Sequence, residues 1–381
     1  MTTETPRHTT RAQFIQRSAA SACAAALASV LPLRATAAEL GAPEKNDGAL
    51  AGEPARIDLR EFVAWVVETF EPSVRLPGGA GRYARKAGET APELYGVSDM
   101  ACVLYSIDHL RPSEKARAEW AEAFQSFQTG PSGLLVEKSP THTPLHNTAF
   151  ALAAMELLNL RPARPVTLAA EYRDIRAFLA TLDWEKRVYP DSHRGAGIAS
   201  LCALVPELRD PAWFDAYFDA CEARFDPRNG MMGRKKPAGG DFDQIGGTFH
   251  YAFVFSHFNR QLPYPERRID AILGLQQPDG YWSPDNHLWL TLDAIYLLTR
   301  TSRYCTHRHA EIVALVRRVM KILERDVFSP AGRAKTFAGK LPVHSLTAAI
   351  SMAAEAQIFL GHREIITERP LRLVLDRRPF I

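Results

Sequence analysis

Two kinds of hydrophobic pattern alternate along the chain. Some stretches are apolar at nearly every position, and others carry apolar residues at every third or fourth position. A helix that is apolar on nearly all sides must be buried all round, whereas an amphipathic helix can keep one face in water. The first kind of stretch predicts six helices, which begin near Ser98, Pro144, Gly195, Gly246, Pro284 and Pro342. Their spacing of roughly 45–55 residues is typical of a repeat architecture.

An amphipathic partner is predicted for each apolar helix. The partners span residues 58–70, 113–128, 171–182, 213–225, 265–276 and 309–327. Five of them follow an apolar helix, and the first, 58–70, is expected to pack on the last apolar helix. Six hairpins that close into a ring need no end-capping repeat. The sequence therefore predicts an all-α fold, a single (α/α)6 toroid over residues 55–361, with the tail 362–381 outside the ring.

The first 37 residues are typical of an export signal. Three arginines precede an apolar run, residues 19–33, which is too short to span a membrane stably, and Ala-Thr-Ala at 35–37 supplies a cleavage site. The stretch 10–16 resembles a twin-arginine signal in which Ala12 replaces the second arginine. We expect export to the periplasm or the medium, a linker over 38–54 and no membrane span in the mature chain. The alternative is an uncleaved amino-terminal anchor.

Composition narrows the classes of protein. Apolar residues make up 46% of the chain, which predicts a large core and excludes global disorder. The formal net charge is only +3, and no basic stripe is interleaved with aromatic residues, so nucleic acid is not expected as a partner. The cysteines that follow the signal are scattered and lack C-x-x-C spacing, which argues against a zinc-finger pattern or a disulfide scaffold.

One short motif carries a resemblance to known proteins. Gln276, Gly280 and Trp282 form a Q-x-x-x-G-x-W spacing directly before an apolar helix, and a degenerate copy occupies residues 128–135. This spacing resembles the repeats of terpenoid cyclases and protein prenyltransferases. The resemblance implies the α/α toroid over most of the mature chain. It says little about the reaction, since rings of this kind also serve glycosidases, polysaccharide lyases and binding proteins.

Polar residues collect near the starts of the apolar helices. Inner helices of a toroid point the same way, so their amino ends meet at one mouth. In helix order the residues there are Asp99; His146 and Asn147; His193 and Arg194; Asp241, Asp243, His250 and Tyr251; Asp285, Asn286, His287 and Trp289; and His344. We predict that they form one pocket that offers both an acid and a base. The alternative is that each is a helix cap or a satisfied buried group.

Acid/base cleavage of a carbohydrate, preferably a polyanionic one, is the function that this pocket favours. Hydrolysis needs two carboxylates across the scissile bond, and Asp99, Asp243 and Asp285 are candidates. Elimination from a uronate instead needs a group that neutralises the carboxylate, a base and an acid. The adjacent Asn286 and His287 resemble the Asn-His pair of alginate-type lyases, which are also exported single toroids.

Roles follow from this interpretation. The predicted catalytic residues are His250, His287, Asn286, Tyr251, Asp243 and Asp99, with Tyr281 as a second candidate acid. The predicted substrate-binding residues are His146, Asn147, His193, Arg194, Trp282, Trp289 and Arg82. No metal and no cofactor are predicted. His142 and His146, at i and i+4, would give a metal site with His193 or His250, but no H-E-x-x-H or carboxylate-anchored spacing supports it.

Two further functions stay open. The stretch 241–244 (Asp-Phe-Asp-Gln) resembles the D-x-D-D acid motif of squalene-type cyclases, which would make Asp243 the protonating aspartate. Gln244 replaces the last aspartate of that motif, and those cyclases use two toroids at the cytoplasmic membrane. The other possibility is a toroid that only binds, which would need a mouth without coupled titrating groups.

Overall fold

The computed structural model describes residues 54–137, 142–233, 240–283, 287–339 and 342–381. These residues are mostly helical, which confirms the all-α prediction. The predicted export signal and nearly all of the predicted linker lie outside the described residues.

The helices follow one another with short connections. In chain order they are α1 (Arg60–Trp65), α2 (Glu71–Val74), α3 (Leu94–Ser106), α4 (Glu114–Gln125), α5 (Pro144–Leu157), α6 (Ile175–Ala180), α7 (Val188–Leu204), α8 (Pro211–Glu222), α9 (Asp241–His257), α10 (Pro265–Gly274), α11 (His287–Thr301), α12 (His309–Leu323), α13 (Pro330–Thr336) and α14 (Pro342–Leu360). A π-helical segment, Val66–Phe70, joins α1 to α2, and another, Glu324–Phe328, extends α12. The strands β1 (Ile57–Asp58) and β2 (Ile365–Ile366) pair in parallel.

The six predicted apolar helices all form, and they pack in a closed order. They are α3, α5, α7, α9, α11 and α14; each contacts the next, and α14 contacts α3. Their residues are buried on nearly all sides, as the all-round apolar pattern requires. The helix α14 is long and apolar enough to cross a membrane, but 72% of that stretch is buried inside the protein, which is expected of a core helix.

Several helix starts differ from the prediction. The helix α3 begins four residues before Ser98, α7 seven residues before Gly195, and α9 five residues before Gly246. Pro190 lies in the first turn of α7, where backbone N–H groups have no helical acceptor, so it does not end the helix. Residues near the middle of these helices therefore lie deeper in the core than expected.

The first helix packs on the segment that precedes α14. The Phe62 ring lies 4.8 Å from the Phe328 ring, and the Trp65 ring stacks on Phe337 at 5.5 Å. The intervening helix α13, Pro330–Thr336, is not among the predicted elements. The amino-terminal end of the described chain thus joins the last part of the fold.

The carboxyl-terminal tail corrects the sequence analysis, which placed it outside the ring. Phe380 and Ile381 are 1% and 5% exposed, and the Ser200 hydroxyl of α7 donates to the Pro379 carbonyl at 2.6 Å. The Phe380 ring lies 5.1 Å from the Phe253 ring of α9. The tail therefore runs inside the fold, against the apolar helices.

Both copies of the glutamine-glycine motif close a turn with a bond from the glutamine side chain to a glycine carbonyl. The Gln276 side-chain amide donates to the Gly280 carbonyl at 2.9 Å, and Gln128 donates to the Gly133 carbonyl at 2.6 Å. Each glycine has a positive φ, which an L side chain rarely adopts. The Trp282 indole donates to the Ile272 carbonyl at 2.9 Å and is buried. Trp282 is therefore a packing residue of the turn, which corrects its predicted role in substrate binding.

Replacing Gln128 by alanine is expected to lower the free energy of unfolding by about 1–3 kcal/mol. The Gln128 amide also donates to the Arg164 carbonyl at 2.8 Å and accepts from the Arg164 N–H at 3.0 Å, so its loss leaves three peptide groups without a partner. Chemical denaturation measures the change. The matched variant Gln276→Ala loses a more exposed bond and should cost less; equal losses would contradict the prediction.

Candidate functional site

Four histidines from distant parts of the chain meet among the apolar helices. They are His142, just before α5, His146 in the first turn of α5, His193 in α7 and His250 in α9. Ring centroids lie 4.4 Å apart for His142 and His146, 4.6 Å for His146 and His193, and 5.1 Å for His193 and His250. We call these four residues the histidine cluster. The predicted convergence of His146, His193 and His250 is observed, with His142 added.

A tyrosine and a serine hold three of these rings. The Tyr95 hydroxyl of α3 lies 2.8 Å from Nδ1 of both His142 and His146. The Ser192 hydroxyl lies 2.6 Å from Nδ1 of His250. Sequence reasoning missed Tyr95 because it placed the start of α3 after this residue. The available signal was the i, i+4 spacing of Tyr95 and Asp99, which puts both on one face of a helix.

Burial keeps the cluster uncharged. It lowers the pKa of His142 to about 3 and that of His250 to about 3. Burial, followed by the neighbouring imidazoles, also holds the pKa of His146 and His193 well below the usual value. The sequence predicted one pocket that offers both an acid and a base; instead the pKa values of all four imidazoles fall. The rings lie in the core rather than at an open mouth, and burial disfavours the charged form of each.

Some polar atoms beside the cluster lack a partner. Nε2 of His193 and both side-chain amide atoms of Asn147 are buried and make no hydrogen bond within the described structure. An unsatisfied buried polar group costs about 1–3 kcal/mol. Such a cost is commonly retained where a bound ligand or ion satisfies the group.

A second arrangement pairs Asp99 with His344. Both oxygens of Asp99 lie 3.1 Å from Nδ1 of His344, the third residue of α14. The Asp99 side chain is fully buried, whereas the His344 side chain is 17% exposed. The Trp289 indole stacks on the His344 ring at 4.1 Å. A buried carboxylate thus orients an imidazole that solvent can reach, which is the arrangement of a general base and its orienting group.

A cleft of about 630 Å³ reaches this pair through Trp289, whose ring stacks on His344, and through Ser345, the next residue of α14. Tyr281 and Leu288 also line it, together with Arg325, Asp326, Ala331, Gly332, Lys335 and Thr336. The Tyr281 hydroxyl donates to Asp326 Oδ2 at 3.3 Å. Arg325 forms an ion pair with Asp326 at 2.5 Å. The volume lies in the range of ligand-binding pockets. Aromatic rings and cations in one lining suit an anionic, ring-shaped ligand.

Two aspartates lie near Tyr189, beside the cluster. The Tyr189 ring stacks on His250 at 5.3 Å, and its pKa is raised by burial and then by the charges of Asp293 and Asp243. Burial also raises the pKa of Asp293 well above its usual value. Asp243 was predicted as a site residue, whereas Asp293 was not. The signal for Asp293 was a lone carboxylate in an otherwise apolar helix.

Replacing Asp293 by asparagine is expected to stabilise the protein at pH 7. Burial raises the pKa of Asp293 above that of the unfolded chain, which is about 3.9, so between these two pKa values the folded state binds more protons. Over that range this group's contribution to stability falls by about 1.4 kcal/mol per pH unit as the pH rises. Denaturation at pH 4 and pH 7 should show an advantage of the variant that grows with pH. The exposed control Asp219→Asn should change stability at pH 7 by no more than about 0.5 kcal/mol; a destabilised Asp293→Asn would contradict the prediction.

Tyr251 and Arg194 do not belong to the site, which corrects their predicted roles. The Tyr251 ring packs 5.3 Å from Trp184, and the Arg194 guanidinium lies 5.1 Å over the Phe178 ring. Each follows a cluster histidine in sequence. Successive residues of a helix point about 100° apart, so the residue after an inward-facing one faces the outer helices.

The other predicted residues are distributed as follows. Arg82 donates to the Pro77 carbonyl at 2.9 Å in an exposed loop and does not line the cleft. Asn286 lies outside the described residues, as does the side chain of His287, the first residue of α11. The predicted place of His287 in the pocket therefore stays a prediction.

No family model, curated protein or solved structure matches this chain.

Proposed function

We propose that this protein is an exported enzyme that cleaves an anionic polysaccharide or oligosaccharide by elimination. The observation that carries the proposal is the Asp99–His344 pair, whose imidazole stacks on Trp289, a residue of the cleft wall. The pair supplies an oriented base, and the cleft supplies a place for a substrate.

The fold that we infer is an (α/α)6 toroid. The closed order of contacts among α3, α5, α7, α9, α11 and α14 supports it, as do the outer helices that alternate with them along the chain. The similar turns at Gln128 and Gln276 support the resemblance to the repeats of terpenoid cyclases and protein prenyltransferases.

Export is inferred from residues 1–37 alone. Mass spectrometry of the secreted protein should find its first residue near 38. Retention of Met1 would contradict export with cleavage.

The base is assigned to His344. With Nδ1 held by both oxygens of Asp99, the atom left to accept a proton is Nε2. The carboxylate fixes the ring orientation and stabilises the imidazolium that forms when the proton is taken. This assignment replaces His250, which lies deeper and is nine-tenths buried.

The substrate class follows from the cleft lining. Trp289 and Tyr281 provide apolar faces on which a sugar ring packs. Arg325 and Lys335 provide positive charge in the same lining. A cation that neutralises a uronate carboxylate makes the adjacent C–H bond more acidic, which elimination requires.

Elimination is favoured over hydrolysis by the carboxylates of the cleft. Among the described residues that line it, Asp326 is the only carboxylate, and it is paired with Arg325. Glycosidases need two carboxyl groups that flank the bond. Asp99 does not fill the second place, because it is fully buried behind His344.

The proposed step consumes no water. His344 takes the proton from the carbon next to the carboxylate, the C–H electron pair forms a carbon–carbon double bond, and the bond to the leaving sugar oxygen breaks. The Tyr281 phenol donates a proton to that oxygen. Burial and then the charge of Asp326 raise the pKa of Tyr281, so the phenol keeps its proton until the leaving oxygen takes it.

The test is to incubate the purified mature protein with alginate, pectate and other uronate polymers, and with neutral polysaccharides as controls. Elimination produces the ultraviolet absorbance of a conjugated double bond together with an equal number of new reducing ends. New reducing ends without that absorbance would replace elimination by hydrolysis. Cleavage of none of the uronate polymers would contradict the proposal.

A further inference from the structure

We propose that His142, His146 and His193 bind a divalent transition metal ion, with Zn²⁺ as the first candidate. One nitrogen from each of the three imidazoles lies within 4.8 Å of the other two. Nitrogen ligands about 2.1 Å from a tetrahedral Zn²⁺ stand roughly 3.4 Å apart. Side-chain shifts on the order of an ångström therefore bring the three rings to coordination distance. The proposal does not rest on the proposed function, since neither His344 nor the cleft takes part.

Tyr95 orients two of the ligands. Its hydroxyl lies 2.8 Å from Nδ1 of His142 and of His146, which assigns Nε2 of each ring to the metal. Metal-binding histidines are commonly fixed through their other ring nitrogen by an oxygen partner of this kind. The phenol oxygen has two lone pairs, so it can accept from both Nδ1–H groups when both Nε2 atoms bind the ion.

The third ligand is an unsatisfied buried atom. Nε2 of His193 is inaccessible to solvent and has no hydrogen-bond partner in the described structure. The His193 residue as a whole is only 9% exposed. A metal ion satisfies the lone pair of such a nitrogen at a site where water has little room.

The ligand set selects the class of ion. Three imidazoles without a thiolate suit Zn²⁺, Cu²⁺, Fe²⁺ or Ni²⁺ and do not suit the oxygen-preferring Ca²⁺ and Mg²⁺. Three protein ligands leave one position of a tetrahedron for water or a substrate group, as in catalytic zinc sites. His250, whose ring lies 5.1 Å from that of His193, borders this position and is held through Nδ1 by Ser192.

The experiment uses the full mature chain, freed of metal by a chelator and then titrated with Zn²⁺. We expect one Zn²⁺ per chain by equilibrium dialysis and elemental analysis, and a higher thermal midpoint with the ion than without it. His193→Ala should weaken binding by more than 100-fold, since loss of a partner that only orients a ligand already costs roughly 10–100-fold. Tyr95→Phe, which removes such a partner, should fall in that smaller range. The exposed His362→Ala is the matched control and should bind like the unaltered chain.

Each result bears on the site directly. Binding that is equal in His193→Ala and His362→Ala would overturn the proposal, because the ion would then lie elsewhere. Absence of stoichiometric binding by the unaltered chain would overturn it too. If His193→Ala does not fold, X-ray absorption of the unaltered zinc protein decides: three imidazole ligands support the site, and fewer than three contradict it. Metal binding without polysaccharide cleavage would leave this site standing while the proposed function fails.

Discussion

Replacing His344 by glutamine is expected to lower the rate of polysaccharide cleavage by about 10²–10⁴-fold, the loss typical for removal of a general base. Glutamine retains an N–H group that can donate to Asp99, so the buried carboxylate keeps a partner and the fold should survive. Alanine is a poorer choice, because it would leave Asp99 buried without the bond that His344 supplies. Steady-state kinetics on the uronate polymer that the protein cleaves fastest measures the loss as a decrease in kcat relative to the unaltered enzyme.

The control and the companion variant separate chemistry from structure. His362→Ala changes an exposed histidine and should keep full activity. Asp99→Asn should lower kcat with little change in KM, since Asp99 orients the base and does not reach the cleft. A kcat for His344→Gln within a few-fold of the unaltered enzyme, in a variant of unchanged stability, would remove His344 from the reaction.

The order of the helices was predictable because burial leaves a clear pattern. Segments that pack on all sides must be apolar on all sides, and the six segments of this kind became α3, α5, α7, α9, α11 and α14. Helix starts were less predictable, since polar residues and Pro190 precede Gly195 in α7 and hid its first two turns. Because of this error, His193 was predicted to lie at a mouth, whereas the structure places it in the core.

The candidate site was predictable only in part, because its contacts join residues far apart in sequence. His146, His193 and His250 were expected to meet, and they do. Asp99 and His344 are 245 residues apart in the chain, and no local spacing in the sequence indicates that they pair. Tyr251 and Arg194 were included because they adjoin cluster histidines, but side-chain direction turns by about 100° per residue along a helix.

The tail was misjudged because its arginines and prolines suggested exposure. Arg369 and Arg372 both pair with Asp108, at 3.0 Å and 2.7 Å, so their charges are satisfied at the edge of the fold. The apolar side chains of Leu371, between them, and of Leu373 and Val374, beyond them, are buried. Alternation of paired charges with buried apolar residues is typical of a segment that seals a core.

Replacing Phe380 by alanine is expected to lower the free energy of unfolding by about 3–5 kcal/mol, the usual cost of removing a buried phenylalanine. The Phe380 ring lies 5.1 Å from Phe253, 6.1 Å from Phe150 and 4.7 Å from His146. Its removal leaves a cavity between α5 and α9 that these helices can fill only by moving toward one another. Equilibrium denaturation with urea measures the change.

Ile358→Ala is the matched control, since Ile358 is 42% exposed and its truncation should cost no more than about 0.5 kcal/mol. An equal loss in the two variants would mean that the tail is not part of the core.

The Phe380 variant also tests how the tail affects the pKa values of the histidine cluster. Phe380 meets His146 edge to face, so a cavity at this point gives water a path to the imidazoles and reduces the burial that depresses their pKa values. We therefore expect the pKa of His146, followed by NMR, to rise toward its ordinary value in Phe380→Ala and to stay depressed in Ile358→Ala.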